Sequence, residues 1–196
     1  MLVIGVDPGT AITGYGLIRE DESGNLTLVD YGVIQTPAKL PMPQRLLQLY
    51  RHLKGITLLH RPDSGAVEKL FFQRNVRTAI SVGQGRGVAL LALAEADVPI
   101  AEYTPLEIKQ AVVGYGGADK NQVQQMVRVL LNLDDIPRPD DAADALAVAI
   151  CHAHSSRMRK LIDNAEQNGR RQVPHYPAVA NRSNEMHKVH LRGLPA

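Results

Sequence analysis

Residues 2–35 read LVIGVDPGTAITGYGLIREDESGNLTLVDYGVIQ, and the punctuation of this stretch decides the fold. Residues 2–7 are a short apolar run rich in Val and Ile, suited to a central strand ending on Asp7. Pro8-Gly9-Thr10 turns the chain, and Gly14-Tyr15-Gly16-Leu17-Ile18 resumes strand character. Glu22-Ser23-Gly24-Asn25 is a second turn, with a third strand over 26–35. Strands joined by such short turns predict an antiparallel meander.

From Pro43 the apolar period changes: Leu46, Leu47, Tyr50, Leu53 and Ile56 recur at helical spacing. Residues 65–68 then form a short strand ending on Glu68, 75–96 a long helix, and 98–103 a fifth strand. Helices follow over 106–113 and 122–131, and a last one over 140–160 begins at Pro139 and carries Ala142, Leu146, Ala149 and Ile150 on one face. Beyond about Lys160 the periodicity fades among Gly169, Pro174, Pro177 and Pro195. The expectation is an α/β domain over 1–160, with a five-stranded mixed sheet flanked by helices, and a basic, flexible tail over 161–196. No internal repeat is evident.

Composition narrows the class. Hydrophobic residues at 44% and charged residues at 21% suit a packed core, and with two Phe and no Trp that core rests on aliphatic side chains. A single cysteine, Cys151, excludes an internal disulfide and a multi-cysteine zinc site. Neither a signal-peptide pattern nor an 18-residue apolar run occurs, so the expected location is the cytoplasm, with no membrane contact. Residues 155–196 carry eight Lys/Arg against three Asp/Glu, and the rest of the chain 14 against 17. A basic tail on a mildly acidic body is compatible with nucleic-acid binding.

Asp7 and Glu68 each end an apolar strand, and strand ends are where α/β sheets assemble sites. Either could instead be an ordinary turn or strand-end residue. The last helix adds Asp140, Asp141 and Asp144. Both 141/144 and 140/144 share a helical face, so spacing does not choose between them, and Asp140 is a natural N-cap. Capping does not account for Asp144, one turn inside an alanine-rich face; a buried carboxylate there needs a partner, and a cation is the natural one. Carboxylate-only sites favour hard ions such as Mg²⁺ or Mn²⁺. Two such ions roughly 4 Å apart can activate water and stabilise a leaving oxygen at a phosphodiester, and they offset the repulsion between carboxylates and phosphate.

Six motifs in order carry a resemblance. They are Ile4-Gly5-Val6-Asp7-Pro8-Gly9; Val67-Glu68 with Phe71-Phe72; Gly83-Gln84-Gly85-Arg86-Gly87; Ile108-Lys109-Gln110-Ala111-Val112-Val113-Gly114; Lys120-Asn121-Gln122-Val123; and Asp141-Ala142-Ala143-Asp144-Ala145-Leu146-Ala147. From Met1 to about Ser156 the chain resembles the RuvC family of bacterial Holliday-junction resolvases, which have the ribonuclease-H-like fold. The resemblance implies metal-dependent paired nicking of four-way DNA junctions in recombination and repair, leaving 5′-phosphate and 3′-hydroxyl ends. It implies catalytic and metal-binding roles for Asp7, Glu68, Asp141 and Asp144, selecting Asp141 over Asp140. It also implies a homodimer, whose two-fold symmetry suits a four-way junction, and partnership with the RuvA and RuvB branch-migration complex.

The same resemblance places Phe71 where an aromatic stacks on junction bases, with Phe72 inward, and sets Lys109 and Lys120 near the cleaved strand. Arg74 and Arg77 are candidates to line the DNA path. The glycines of 83–87 lie inside a helical pattern rather than after a strand, so they are read as helix-packing residues at a dimer interface, not a phosphate loop. His152 and His154 are read as surface residues complementing the last helix dipole. One rival is an actin- or sugar-kinase-like phosphotransferase, whose acid-x-Gly-Thr turn Asp7-Pro8-Gly9-Thr10 resembles, but which needs a duplicated core. The other is a non-catalytic junction-binding protein, which needs no acidic cluster.

Overall fold

The meander stands as the sequence predicts: β1 (Leu2–Asp7), β2 (Ile12–Glu20) and β3 (Leu26–Gln35) pair antiparallel in turn. The structure is a computed structural model that describes residues 1–69 and 76–171. After the meander come α1 (Met42–His60), β4 (Ser64–Glu68), α2 (Val76–Glu95), β5 (Ile100–Tyr103), α3 (Pro105–Val113), α4 (Lys120–Leu130) and α5 (Asp140–Arg171). The sheet order is β3-β2-β1-β4-β5, with β4 parallel to β1 and β5 parallel to β4. Parallel neighbours cannot be joined by a tight turn, and α2 supplies the crossover from β4 to β5.

Strand alternation sends side chains to two cores. Ile4, Val6, Leu17 and Val67 pack with Leu49 and Leu53 of α1 and with Ala89, Ala92 and Leu93 of α2. Val3, Ile18, Ala66 and Tyr103 pack on the other face with α3, α4 and the buried run Leu146–Cys151 of α5. Among the described residues, no helix is long and apolar enough to cross a membrane.

Two expectations need correction in α5. The helix runs to Arg171, past the end at 160 that the apolar pattern suggests. Residues 157–168 hold neither Gly nor Pro and are rich in Arg, Lys, Leu, Glu and Gln, which favour a helix whether or not a face is buried. Periodicity reports burial, not helicity. The chain divides into a unit over Met1–Leu161, which contains the whole sheet, and a unit over Ile162–Ala196, whose described part is helical to Arg171.

His152, expected on the surface, is only 7% exposed. Its Nδ1 lies 3.0 Å from the Tyr103 hydroxyl and its Nε2 3.1 Å from Ser64 Oγ, so it ties α5 to β5 and β4. His154 is half-buried, with Nδ1 3.0 Å from the Ala111 carbonyl of α3. Both imidazoles hold helices to their neighbours, and the helix end they were expected to complement lies far beyond them.

Candidate active site at the ends of β1 and β4

Val3, Gly5 and Asp7 share the face of β1 that meets α5. Val6 stands opposite Val67 in parallel register, so the next residues, Asp7 and Glu68, end adjacent strands side by side, and their carboxyls are hydrogen-bonded. Two glycines then let α5 lie directly on the sheet. A β-carbon at Gly5 would sit 2.2 Å from the Ala145 oxygen, and one at Gly14, the partner of Asp7 in β2, 1.9 Å from the Asp141 oxygen. No other residue permits that approach, which brings the first turns of α5, with Asp141 and Asp144, against the end of β1.

At the start of α5 the Pro139 carbonyl accepts the amides of Ala142 (3.0 Å) and Ala143 (3.4 Å). Pro139 thus stands in the cap position, and Asp140 is not the N-cap its sequence position suggests. Its carboxylate turns outward to the Arg138 guanidinium and lies 3.6 Å from Lys120 Nζ. Asp141 instead lies where its charge is felt by Asp7, together with Glu68 and Asp144. The structure therefore separates two aspartates that helical spacing left equivalent. Lys120 opens α4 behind a capping box formed by Asp119 and Gln122, and its Nζ lies 2.9 Å from Asp144 Oδ2.

The electrostatics follow from this crowding. Burial first, then the Glu68 carboxylate and the charges of Asp144 and Asp141, push Asp7 up to about 8. Burial also raises Glu68 and Asp144, while Lys120 works against the rise in both. The hydrogen bond between the two carboxyls raises Asp7 and works against the rise of Glu68. Burial works to raise Asp140, but Lys120, a hydrogen bond from Gln124 and Arg138 outweigh it and hold that carboxyl below its ordinary value.

The turn after Asp7 is held by side chains that the sequence did not single out. Thr13 Oγ1 accepts the Gly9 amide at 3.2 Å and donates to the Gly9 carbonyl at 2.5 Å. Thr36 Oγ1 donates to the Thr10 carbonyl at 2.5 Å and accepts from Arg45 Nε at 2.8 Å. Thr10, Thr13 and Thr36 are buried. A phosphate-binding turn would leave such amides free for a ligand; here the Gly9 amide is already taken by Thr13.

Phe71 and Arg74 fall outside the described residues, as does the side chain of Arg77, whose backbone is in the first turn of α2. Lys109 is half-buried on α3, and among the described residues no ion pair joins it to the four acids. The glycines of 83–87 lie within α2 as expected. Gly85 faces the turn after Asp7, whereas a β-carbon at Gly87 would meet nothing within 4 Å.

Four carboxylates suit a hard divalent cation and exclude a soft one. As they stand the side chains do not close on one point: among the described residues, no three His, Cys, Asp or Glu groups are arranged to hold an ion. The hydrogen bond between Asp7 and Glu68 and the ion pair of Asp144 with Lys120 account for that. The donor chemistry of four carboxylates fits a hard cation.

Residues 3–152 match the family model described as crossover junction endodeoxyribonuclease RuvC. The crossover junction endodeoxyribonuclease RuvC of Desulfitobacterium hafniense is 61% identical over 165 residues, 84% of this chain and 99% of that protein. That of Chloroflexus aurantiacus is 60% identical over 156 residues, 80% of this chain and 94% of that protein. The solved structure of Thermus thermophilus RuvC in complex with a Holliday junction substrate superposes with a TM-score of 0.74 at 35% identity, covering 81% of this chain and 96% of that one. With the match running through β1, β4 and the start of α5, where the acids stand, this chain belongs to the RuvC family of crossover junction endodeoxyribonucleases.

Proposed function

We propose that this chain resolves four-way DNA junctions by paired, symmetrical nicks in recombination and repair, leaving 5′-phosphate and 3′-hydroxyl ends. Asp7, Glu68, Asp141 and Asp144 hold divalent cations, Mg²⁺ or Mn²⁺ and two per site, against the scissile phosphate. The observation that carries the proposal is the convergence of four acids, up to 137 residues apart, on the ends of β1 and β4. When bound, such a pair of ions supplies an activated water and neutralises charge on the leaving oxygen. The protein's own part is to fix that geometry. Asp7 and Glu68 stand on central strands and Asp141 and Asp144 on a helix pressed to the sheet, so all four would hold the ions from fixed elements, with Asp7 giving up its proton on becoming a ligand.

Lys120 stands at the rim, 2.9 Å from Asp144, where an ammonium can meet a phosphate oxygen once Asp144 turns to a cation. In the same proposal Lys109, Arg74 and Arg77 contact the DNA path, and Phe71 stacks on exposed junction bases. The working form is a homodimer joined through α2, each subunit nicking one of two equivalent strands. The RuvA and RuvB complex would present the junction, and the setting is the cytoplasm.

A synthetic four-way junction incubated with the protein and Mg²⁺ or Mn²⁺ tests this. Wild type should give paired symmetrical nicks, and Asp7→Asn should bind the junction but lose at least about 100-fold in cutting, in line with removal of a group that acts in the transition state. Normal cutting by Asp7→Asn would refute the site assignment.

A further inference from the structure

Asp7 leads at once into Pro8-Gly9-Thr10, and this turn is confined on three sides. Thr13 binds both the amide and the carbonyl of Gly9, and Thr36 binds the carbonyl of Thr10. The third side is the backbone of α2. A β-carbon at Gly85 would lie 3.1 Å from both the carbon and the oxygen of the Gly9 carbonyl, and 3.3 Å from Thr10 Cγ2. Carbon atoms in normal contact sit about 3.5–4.0 Å apart, so a methyl group there must displace the turn or the helix by a few tenths of an ångström. The neighbour is backbone, held by two buried threonines, and cannot swing aside as a flexible side chain would. Across the sheet, α5 abuts the same strand end through Gly14. Asp7 thus emerges between two helix backbones, each admitted by a missing side chain.

We propose that Gly85 is a positioning residue for cation binding: the absence of a side chain there sets the depth of the Asp7 turn, and so the approach of the Asp7 carboxyl to Glu68, Asp141 and Asp144. This rests on the metal-dependent reading given above. A hard ion such as Mg²⁺ demands near-ideal octahedral geometry with oxygens at about 2.0–2.1 Å, so a shift of a few tenths of an ångström matters to it. A fold tolerates the same shift. Gly85 also lies in the interior of α2, where glycine is ordinarily less favourable than alanine. Helix propensity and the site therefore pull in opposite directions, and that divergence makes the role measurable.

Calorimetric titration of Mn²⁺ into the full-length protein without DNA, alongside thermal melts, should be run for wild type, Gly85→Ala, Gly85→Ser and Gly55→Ala. Gly55 lies in α1, and a β-carbon there meets nothing within 4 Å, so its variant reports helix propensity alone. The expected result is that Gly55→Ala melts higher and binds Mn²⁺ as wild type does. Gly85→Ala should melt no lower than wild type yet bind Mn²⁺ roughly 10-fold or more weakly, the usual effect of disturbing what supports a ligand, and Gly85→Ser should weaken binding at least as much. Wild-type affinity in both Gly85 variants overturns the proposal. So does a loss of affinity that tracks a fall in melting temperature in both, which makes Gly85 an ordinary packing residue. If wild type itself binds no Mn²⁺, the metal-dependent reading falls, and this inference with it.

Discussion

With its carboxyl pushed up to about 8, Asp7 is protonated in the native state at neutral pH, while in the unfolded chain it ionises near 3.8. Between those values the native state holds a proton that the unfolded state has lost, so without divalent cations the protein loses stability as pH rises from about 4 to about 8. Below about 4 both states are protonated and the penalty vanishes. Asp7→Asn removes it, and in EDTA that variant should melt above wild type at pH 8, by about 2–4 °C for each kcal/mol recovered. The gain should shrink towards zero at pH 4; a gain of equal size at both pH values would show that the proton is not held at Asp7. Mg²⁺ should reverse the order, because it stabilises only a chain that can bind it. Asp7 and Glu68 were legible as candidates because each ends an apolar strand, and Asp144 because it sits on an alanine-rich helix face; family resemblance chose Asp141 where helical spacing could not. Thr13, Thr36 and Arg45 were not legible. Their roles depend on which backbone groups of the β1–β2 turn they reach, and that is set by strand register, not by local sequence.

At the scale of elements, strands and helices announced themselves through their periods, whereas the packing role of the β1 and β2 glycines did not. Nor did what α5 touches. A histidine on an alanine-rich face reads equally as surface or interior until the opposing strand supplies partners, and Tyr103 and Ser64 arrive from positions 49 and 88 residues away. Burial first, then the Arg159 charge, push His152 down to about 4 from an ordinary 6.5. The unfolded chain therefore takes up a proton that the native state refuses. The resulting stability is present in full above about 6.5 and is lost as pH falls towards 4. His152→Ala should cost at least about 1–3 kcal/mol at pH 7, since it strands buried hydroxyls, and less at pH 5. Urea melts at the two pH values measure the difference, and an imidazole titrating near 6.5 by NMR would show that the ring is not sealed between α5 and the sheet.

At the scale of the whole molecule, α2 carries an exposed apolar stripe that suits the homodimer proposed above. Ile80, Gln84, Gly87 and Leu91 recur along α2 at spacings of four, three and four, so they share one face, and all are exposed, Ile80 at 64% and Leu91 at 60%. The opposite face, with Gly85, Ala89, Ala92 and Leu93, is sealed against the Asp7 turn and the core. A stripe with a glycine between two large aliphatic residues can pack against its own copy about a two-fold axis. It would place the partner one helix thickness from the Asp7 turn. Exposed leucines on α1, Leu58 and Leu59, offer a competing face. If the proposed homodimer joins through this stripe, Leu91→Glu should convert it into a folded monomer in sedimentation experiments, because a carboxylate buried against its own copy has no counter-charge, whereas Leu59→Glu should leave it intact. The monomer should still bind a junction but lose paired cutting, so that single nicks accumulate on either strand. Dissociation by Leu59→Glu and not by Leu91→Glu would move the two-fold axis to α1, and with it the spacing of the two sites across the junction.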